Sequence, residues 1–226
     1  MLLPLRRPPI SRWPRPERYD WLESDGVAYV VPPVGIGSDI DISLSFRLIP
    51  GGNSYGYVFG GYNGWSQTTP PTRYSLALYM NAIRDGISDV VVTAGQPKKD
   101  NTAYGTGLGY SVPLISGTFS QSEGVCILNG IEIPLPTETK QDVPYATGVM
   151  PMPIFCGASF SYPGYRPLKL RLYRFKVVSF SGETVFDFEP RVVDGEAVAF
   201  DRVSNTALET LGGGRFTAGK DPPHSL

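Results

Sequence analysis

Two segments of the chain alternate strictly between apolar and polar residues. In residues 39–48, every second position from Ile40 to Leu48 carries an apolar side chain. Residues 168–180 alternate in the same way, except near Tyr173, where the apolar positions change phase. A period of two residues is typical of a strand that buries one face. We therefore predict a β-strand in each segment, with a break in register near Tyr173.

Shorter strand patterns recur along the chain and are separated by turn residues. No 3.6-residue period persists, so we expect no helix longer than about two turns. Asn129-Gly130 is a hairpin signal, and Asp194-Gly195 predicts a second turn. Many short strands with regularly spaced turns favour an all-β sandwich. The other predicted strands are 55–62, 73–80, 89–93, 118–122, 124–133, 153–160, 185–190 and 197–201, with weak strand character over 94–111.

The apolar faces of these strands define an expected core. Asp187 lies between two of its phenylalanines and shares a face with Glu189, so both carboxylates should be exposed or hydrogen-bonded at an edge. The residues expected to be buried are Ile42, Leu44, Phe46, Leu170, Leu172, Phe186, Phe188 and Phe200.

Both ends of the strand-rich region carry recognisable motifs. Residues 182–219 read GETVFDFEPRVVDGEAVAFDRVSNTALETLGGGRFTAG, with a Ser-Asn-Thr run and a triple glycine before Phe216. Residues 19–30 read YDWLESDGVAYV. These segments resemble the closing and opening motifs of LamG-like, concanavalin A-type jelly-roll domains found in gut bacterial proteins and in phages and prophages. The resemblance implies a two-sheet antiparallel jelly roll over residues 19–219, with no catalytic role and no cofactor.

Residues 1–18 differ from the rest of the chain. The segment contains five prolines, five arginines and one acidic residue. Proline fixes φ and removes a hydrogen-bond donor, so we expect an extended arm, although a disordered leader is the common alternative at a chain end. We expect the arm to anchor the protein on a partner subunit, and residues 220–226 to form a C-terminal tail. The expected partner contacts are Leu2, Leu3, Leu5, Arg6, Arg7, Arg12, Trp13 and Arg15.

Charge and hydropathy exclude several classes of partner. The 226 residues carry a net charge of −1 at pH 7, so we expect no nucleic-acid partner. No apolar run reaches the ~18–20 residues of a membrane span. In residues 1–7 the charges follow the short apolar run, which is the reverse of a signal peptide, so we do not expect ordinary secretion.

Cysteine and histidine usage predicts no metal site. Cys126 and Cys156 each lie in an apolar strand pattern, as expected of buried free thiols; a disulfide between neighbouring strands stays open. The only histidine, His224, lies in the tail among prolines, so neither a zinc site nor histidine-assisted nucleophilic catalysis is expected.

Acidic residues provide two further candidate sites. Asp187 and Glu189 are the nearest match to the carboxylate pair of a jelly-roll glucanase, but the preceding acid, Glu183, is out of register with that motif. We therefore expect no catalytic residues. Three aspartates, Asp39, Asp41 and Asp85, could ligate calcium, but they lack the spacing of a calcium loop, and solvated positions on a strand face are the favoured interpretation.

Aromatic residues are the remaining chemical signal. Exposed tyrosine and tryptophan beside asparagine can stack on a sugar ring and bind its hydroxyls, and the same residues are enriched at protein interfaces. Packing in the core and on the sheets is the simpler explanation for most of them. The residues that we expect to contact a glycan, on two loops, are Tyr62, Asn63, Trp65, Tyr162 and Tyr165. Other aromatic residues of this set are Tyr55, Tyr57, Tyr74, Tyr79, Tyr104 and Tyr110.

The sequence thus favours a non-catalytic structural or decoration protein of a phage virion, on head or tail, assembled in the host cytoplasm. Its partners would be other virion proteins or further copies of itself, contacted through residues 1–18. The alternative is a glycan-binding adhesin at a bacterial cell surface, and one protein can combine the two roles. A glycoside hydrolase is a third, weaker hypothesis.

Overall fold

A computed structural model describes residues 17–49, 53, 55–62, 75–84, 87–95, 108–111, 114–135, 151–159 and 162–222. Within these ranges the chain is all-β and contains no helix. The first eight strands are β1 (Trp21–Ser24), β2 (Ile40–Leu48), β3 (Gly56–Tyr62), β4 (Ser75–Arg84), β5 (Ile87–Gly95), β6 (Leu108–Ser111), β7 (Ile115–Ser120) and β8 (Val125–Leu128). The next eight are β9 (Ile131–Pro134), β10 (Gly157–Ser159), β11 (Tyr162–Tyr165), β12 (Leu170–Ser179), β13 (Thr184–Val193), β14 (Glu196–Asp201), β15 (Thr206–Ala207) and β16 (Phe216–Gly219).

The strands form two sheets. The ten-stranded sheet has the order β15-β14-β13-β12-β2-β7-β8-β9, and β1 pairs with both β12 and β16 beside this path. The six-stranded sheet has the order β11-β10-β3-β4-β5-β6. In the described strands, every neighbouring pair is antiparallel except β10 and β3, which run parallel. The expectation of purely antiparallel sheets is wrong at this pair. The architecture is therefore compatible with a β-sandwich.

The two strictly alternating segments form the centre of the larger sheet. Strand β2 alternates between buried and partly buried residues along its whole length and pairs with β12. The register of this pair shifts between Leu172 and Arg174, so the predicted break at Tyr173 is confirmed. The bulge returns Phe175 to the buried face after Leu172.

Both predicted tight turns are present. Asn129 and Gly130 have φ angles of 49° and 80° and join β8 to β9. Asp194 and Gly195, with φ angles of 51° and 85°, join β13 to β14. Positive φ at both central residues is the geometry of a type I′ turn, whose twist matches that of the flanking strands.

One hydrophobic core joins the sheets, and its central contact is made by Phe59 of β3. The Phe59 ring lies 5.3 Å from the ring of Phe119 in β7 and 5.1 Å from that of Phe175 in β12, both edge to face. All three side chains are fully buried. All eight residues predicted for the core are buried as well.

Several predicted bounds are wrong. The expected strand over 118–122 lies earlier, at β7, and residues 121–124 form a turn. Within the expected strand over 153–160, only β10 is regular, and it is preceded by two isolated bridges, from Ile154 to Val30 and to Phe59. The loop expected around Tyr162 and Tyr165 is instead the edge strand β11. Pro163 and Gly164 are tolerated there because an edge strand pairs on one side only.

The two segments that resemble family motifs lie side by side. Strand β1, from the opening segment, pairs with β16, from the closing segment, in the register Leu22 opposite Ala218. The Asp25 carboxylate accepts the N–H of Arg215 at 2.7 Å, which fixes the turn after β1 against the chain before β16. The two motifs therefore specify one structural unit.

Truncation of Phe59 should destabilise the whole domain. We expect Phe59→Ala to lower the free energy of unfolding by about 3–5 kcal/mol, because it removes the ring that contacts both Phe119 and Phe175. Urea unfolding followed by tryptophan fluorescence measures the change. Phe180→Ala is the matched control, since Phe180 is 49% exposed, and its effect should stay within about 0.5 kcal/mol. Equal losses in the two variants would contradict the central role of Phe59.

Candidate binding surface

A tight turn after β11 holds Arg166 in an unusual backbone conformation. Gly164 and Arg166 have φ angles of 96° and 51°, and Pro167 follows directly. The carbonyl of Arg166 accepts the N–H of Tyr57 at 3.2 Å, and Asn53 donates its side-chain amide to the carbonyl of Pro167 at 2.8 Å. A left-handed conformation is costly for a residue with a side chain. These hydrogen bonds therefore help to keep the Arg166 backbone in a conformation that it would otherwise leave.

Two tyrosines lie next to this turn on the outer face of the six-stranded sheet. Tyr57 of β3 is paired with Tyr79 of β4, and their ring centroids are 4.8 Å apart. Tyr79 alternates with the buried Leu78 and Met80, which face the core. Because side chains alternate across a strand, the Tyr79 ring lies on the face of the sheet away from the core. Tyr57 shares that face with its partner Tyr79 because the register of β3 shifts between Tyr57 and the buried Phe59.

A glycine on the intervening strand makes room for the rings. Gly157 of β10 lies between β3 and β11 and is paired with Tyr165. A Cβ atom at Gly157 would lie 2.7 Å from carbons of the Tyr57 ring, so only glycine lets the ring cover this strand. The Tyr57 and Tyr165 ring centroids are 6.1 Å apart across it.

The Arg166 side chain completes the group. Its guanidinium carbon lies 4.7 Å from the ring centroid of Tyr55 and 4.9 Å from that of Tyr165, and Nη1 donates a hydrogen bond to the Tyr79 hydroxyl at 3.1 Å. These distances are in the range of cation–π contacts. Tyr55 and Tyr165 are 43% and 38% exposed, and Arg166 is exposed as well. We call Tyr55, Tyr57, Tyr79, Tyr165 and Arg166 the Arg166 cluster.

No carboxylate of the described residues neutralises the charge in this cluster. Among the described residues, no aspartate or glutamate forms an ion pair with Arg166. Burial raises the pKa of Tyr79, while the neighbouring guanidinium opposes that shift. The Tyr79 hydroxyl therefore stays protonated at neutral pH, and the cluster keeps its positive charge.

The predicted glycan residues are only partly brought together. Tyr165 belongs to the cluster, and Tyr162 lies on the same strand, β11, where a loop was expected. Tyr62 ends β3. Asn63 and Trp65 lie outside the described residues, so their proposed role stays a prediction.

Arg166 is the residue that sequence reasoning missed. Tyr55, Tyr57 and Tyr79 belong to the set of aromatic residues noted above, but their convergence depends on pairing between distant strands. A local signal does exist in the run Pro163-Gly164-Tyr165-Arg166-Pro167, because an arginine between a glycine turn and a proline has few backbone conformations.

The two carboxylates considered for a glucanase site are both paired with nearby arginines. Asp187 forms an ion pair with Arg202 at 3.3 Å, and Glu189 accepts a hydrogen bond from Nε of Arg191 at 2.8 Å. Both carboxylates are partly buried. They were expected to be exposed or hydrogen-bonded at an edge, and the edge is wrong, because β13 pairs with both β12 and β14. Pairing with arginine satisfies the two carboxylates inside the sheet instead.

A third carboxylate, Asp201, organises the closing segment. It is fully buried and accepts the N–H groups of Asp187, Val203 and Ser204 at 3.0–3.2 Å, together with the Ser204 hydroxyl at 2.6 Å. Burial alone would raise the pKa of Asp201, but the hydrogen bonds from Ser204, Val203 and Asp187 outweigh it and hold the pKa below its ordinary value.

The other candidate chemistry has structural explanations. Asp41 accepts the N–H of Gln121 at 2.7 Å and the hydroxyl of Ser122 at 3.0 Å, so it caps the turn after β7. Asp85 lies outside the described residues. Cys126 and Cys156 are free and buried, as predicted, and burial raises the pKa of each thiol to about 12.

The part of the chain that the structure describes contains neither a metal-binding group nor a membrane-spanning helix. No group of three or more histidine, cysteine, aspartate or glutamate side chains is placed there to hold a metal ion. No helix in these residues is long and apolar enough to cross a membrane.

Comparison with known proteins identifies no relative. No family model matches this sequence. No curated protein matches it either.

The hydrogen bonds to Asp201 should make stability depend on acid pH. Because the pKa is lowered on folding, the contribution of the carboxylate is complete above the unfolded pKa of about 3.9 and is lost as pH falls through the folded value. We therefore expect the free energy of unfolding to decrease below about pH 4, and less so in Asp201→Asn. At pH 7 that variant should be less stable by about 2–3 kcal/mol, because an amide has only one accepting oxygen.

Chemical unfolding between pH 2 and pH 7 tests this expectation. Glu209→Gln is the control, because Glu209 is exposed, and this variant should follow the wild-type curve within about 0.5 kcal/mol. A pH dependence as steep in Asp201→Asn as in the wild-type protein would show that other groups cause the acid sensitivity.

Proposed function

We propose that this chain is a non-catalytic binding module whose Arg166 cluster holds a glycan. The observation that carries the proposal is the pair of exposed rings, Tyr55 and Tyr165, whose centroids lie 4.7 Å and 4.9 Å from the Arg166 guanidinium carbon. Aromatic faces stack on the apolar face of a sugar ring, while hydroxyl and guanidinium groups bind its polar edge. Binding by these groups does not require any of them to move or to change its protonation state. The arrangement therefore favours a binding role.

We further propose that the fold is a LamG-like jelly roll. The support is the pairing of β1 with β16, which joins the two motif-bearing segments, and the packing of two antiparallel-rich sheets around one core. Folds of this kind host many functions, so the fold alone does not identify the ligand.

The place of action that we propose is a phage virion, with a bacterial cell surface as the alternative. The support is the resemblance of residues 19–30 and 182–219 to phage and prophage domains, together with the composition of residues 1–18. In this proposal residues 1–18 attach the module to other virion proteins or to a second copy. Residues 1–16 lie outside the described residues, and Glu17, where the described chain begins, is exposed.

Loss of either exposed ring should weaken glycan binding without unfolding the domain. We expect Tyr55→Ala and Tyr165→Ala each to reduce affinity by about 3–10-fold, in line with the ~0.5–1.5 kcal/mol of an aromatic contact. A glycan array, followed by calorimetry on its strongest hit, measures the effect. Phe180→Ala removes an exposed ring away from the cluster and should bind like the wild-type protein. An array without any hit, or unchanged affinity in both tyrosine variants, would refute the site.

Deletion of residues 1–18 tests the attachment. We expect the truncated chain to remain folded, because the core lies within residues 22–216, and to fail to join its assembly. The fold is followed by thermal unfolding and incorporation by the occupancy of purified particles. Substitution of Arg6, Arg7, Arg12 and Arg15 by glutamine in the full chain should weaken incorporation at low salt and reduce its dependence on salt concentration, because salt screens the attraction that these arginines provide. Normal occupancy of the truncated chain would contradict this role.

A further inference from the structure

We propose that the sugar held by the Arg166 cluster carries a carboxylate, and that Arg166 binds this carboxylate with its Nε and Nη2 edge. The inference rests on the proposed glycan binding and adds the chemical class of the ligand. It begins with an imbalance of charge, since Arg166 is exposed and no described carboxylate pairs with it.

Two other ring-stacked arginines show what Arg166 lacks. Arg171 donates from Nε to Glu23 at 2.7 Å, and Arg191 donates from Nε to Glu189 at 2.8 Å. Each of these guanidinium groups also lies over an aromatic ring, that of Trp21 or Phe200. Arg166 and Arg47, which lies 6.0 Å from the ring centroid of Tyr173, have the ring but no carboxylate among the described residues. Of these two, Arg47 is partly buried, and Arg166 is exposed to a ligand.

The hydrogen bonds that Arg166 forms with the described residues use only one side of the guanidinium. Nη1 donates to the Tyr79 hydroxyl, which is a neutral acceptor. Nε and Nη2 form no hydrogen bond with the described residues. These two atoms make a fork whose spacing matches the two oxygens of a carboxylate, so a ligand carboxylate can bind side-on with two parallel bonds.

The rings determine how this edge is presented. Contacts with Tyr55 at 4.7 Å and Tyr165 at 4.9 Å hold the guanidinium carbon near both rings, and the bond to Tyr79 orients the group. An arginine that is already ordered loses little side-chain entropy on binding. The same rings are available to stack on the sugar that bears the carboxylate, so one ligand uses both features.

The backbone strain supports a role in recognition. Arg166 has a φ angle of 51° before Pro167, although glycine would adopt that angle without strain. Strained residues persist where the surroundings hold them, and they are concentrated at ligand sites. The Tyr57 N–H donates a hydrogen bond to the Arg166 carbonyl and so helps to hold the strained residue in place. Tyr57 also contributes its ring to the cluster.

Paired ligands that differ only in charge test the inference on the full chain. We use 3′-sialyllactose against its methyl ester, and a galacturonic acid oligomer against its methyl ester. We expect the acidic member of at least one pair to bind about tenfold more tightly than its neutral partner, from the strength of hydrogen bonds to charged groups. The preference should shrink at high salt. Sulfated lactose tells a carboxylate from another oxyanion, and binding as tight as that of the sialyl sugar would overturn the carboxylate assignment.

Variants at position 166 complete the test. Arg166→Gln should abolish the preference for the acidic member, so that the acidic and the neutral sugar bind this variant with equal affinity. Arg166→Lys keeps the charge but not the fork, and should lose most of the preference. Arg174→Gln is the matched control, an exposed arginine on the other sheet, and should keep the preference. Thermal unfolding verifies that each variant is folded.

The outcomes separate this inference from the proposed function. Equal wild-type affinity for acidic and neutral sugars would overturn the carboxylate and leave glycan binding in place. An acidic preference that survives both Arg166 variants would move the carboxylate to another residue and overturn the assignment. Failure of every sugar to bind would overturn the carboxylate and the glycan site together.

Discussion

The structure depends on one contact between the sheets, the packing of Phe59 against Phe119 and Phe175. A β-sheet exposes one apolar face, and that face is stable only when another layer covers it. Phe59 is the ring of the smaller sheet that reaches the centre of the larger one, where β2, β7 and β12 meet. Phe59 faces inward, whereas Tyr57 lies on the other face of the same sheet, where it belongs to the Arg166 cluster.

Glycines of the closing segment, residues 182–219, allow it to lie very close to the opening segment, residues 19–30. A Cβ atom at Gly219 would lie 2.1 Å from the Trp21 ring, and one at Gly214 would lie 2.4 Å from the backbone nitrogen of Ala28. Both positions are in the closing segment, and both neighbours are in the opening segment. The close approach of the two segments is therefore visible in the sequence. The closing segment has glycines where the chains meet, and the opening segment has the aromatic residue Trp21.

Local patterns predicted the parts of the fold that are decided locally. Alternation located β2 and β12, the phase change located the bulge at Tyr173, and Asn129-Gly130 identified a hairpin, because each reflects the geometry of a few consecutive residues. The parallel pairing of β10 with β3 and the convergence on Arg166 depend on strands far apart in sequence. Strand β11 was missed for a related reason, since Pro163 and Gly164 indicate a turn until the edge position is known.

The pairing of β1 with β16 also places both ends of the described chain on the same layer. Both ends of the described chain leave from the ten-stranded sheet, and Lys220 contacts Glu17 at 2.9 Å, so they emerge side by side. The Arg166 cluster lies on the outer face of the opposite sheet. A body that holds the chain by either end is therefore attached to one layer, and the other layer is presented to the surroundings.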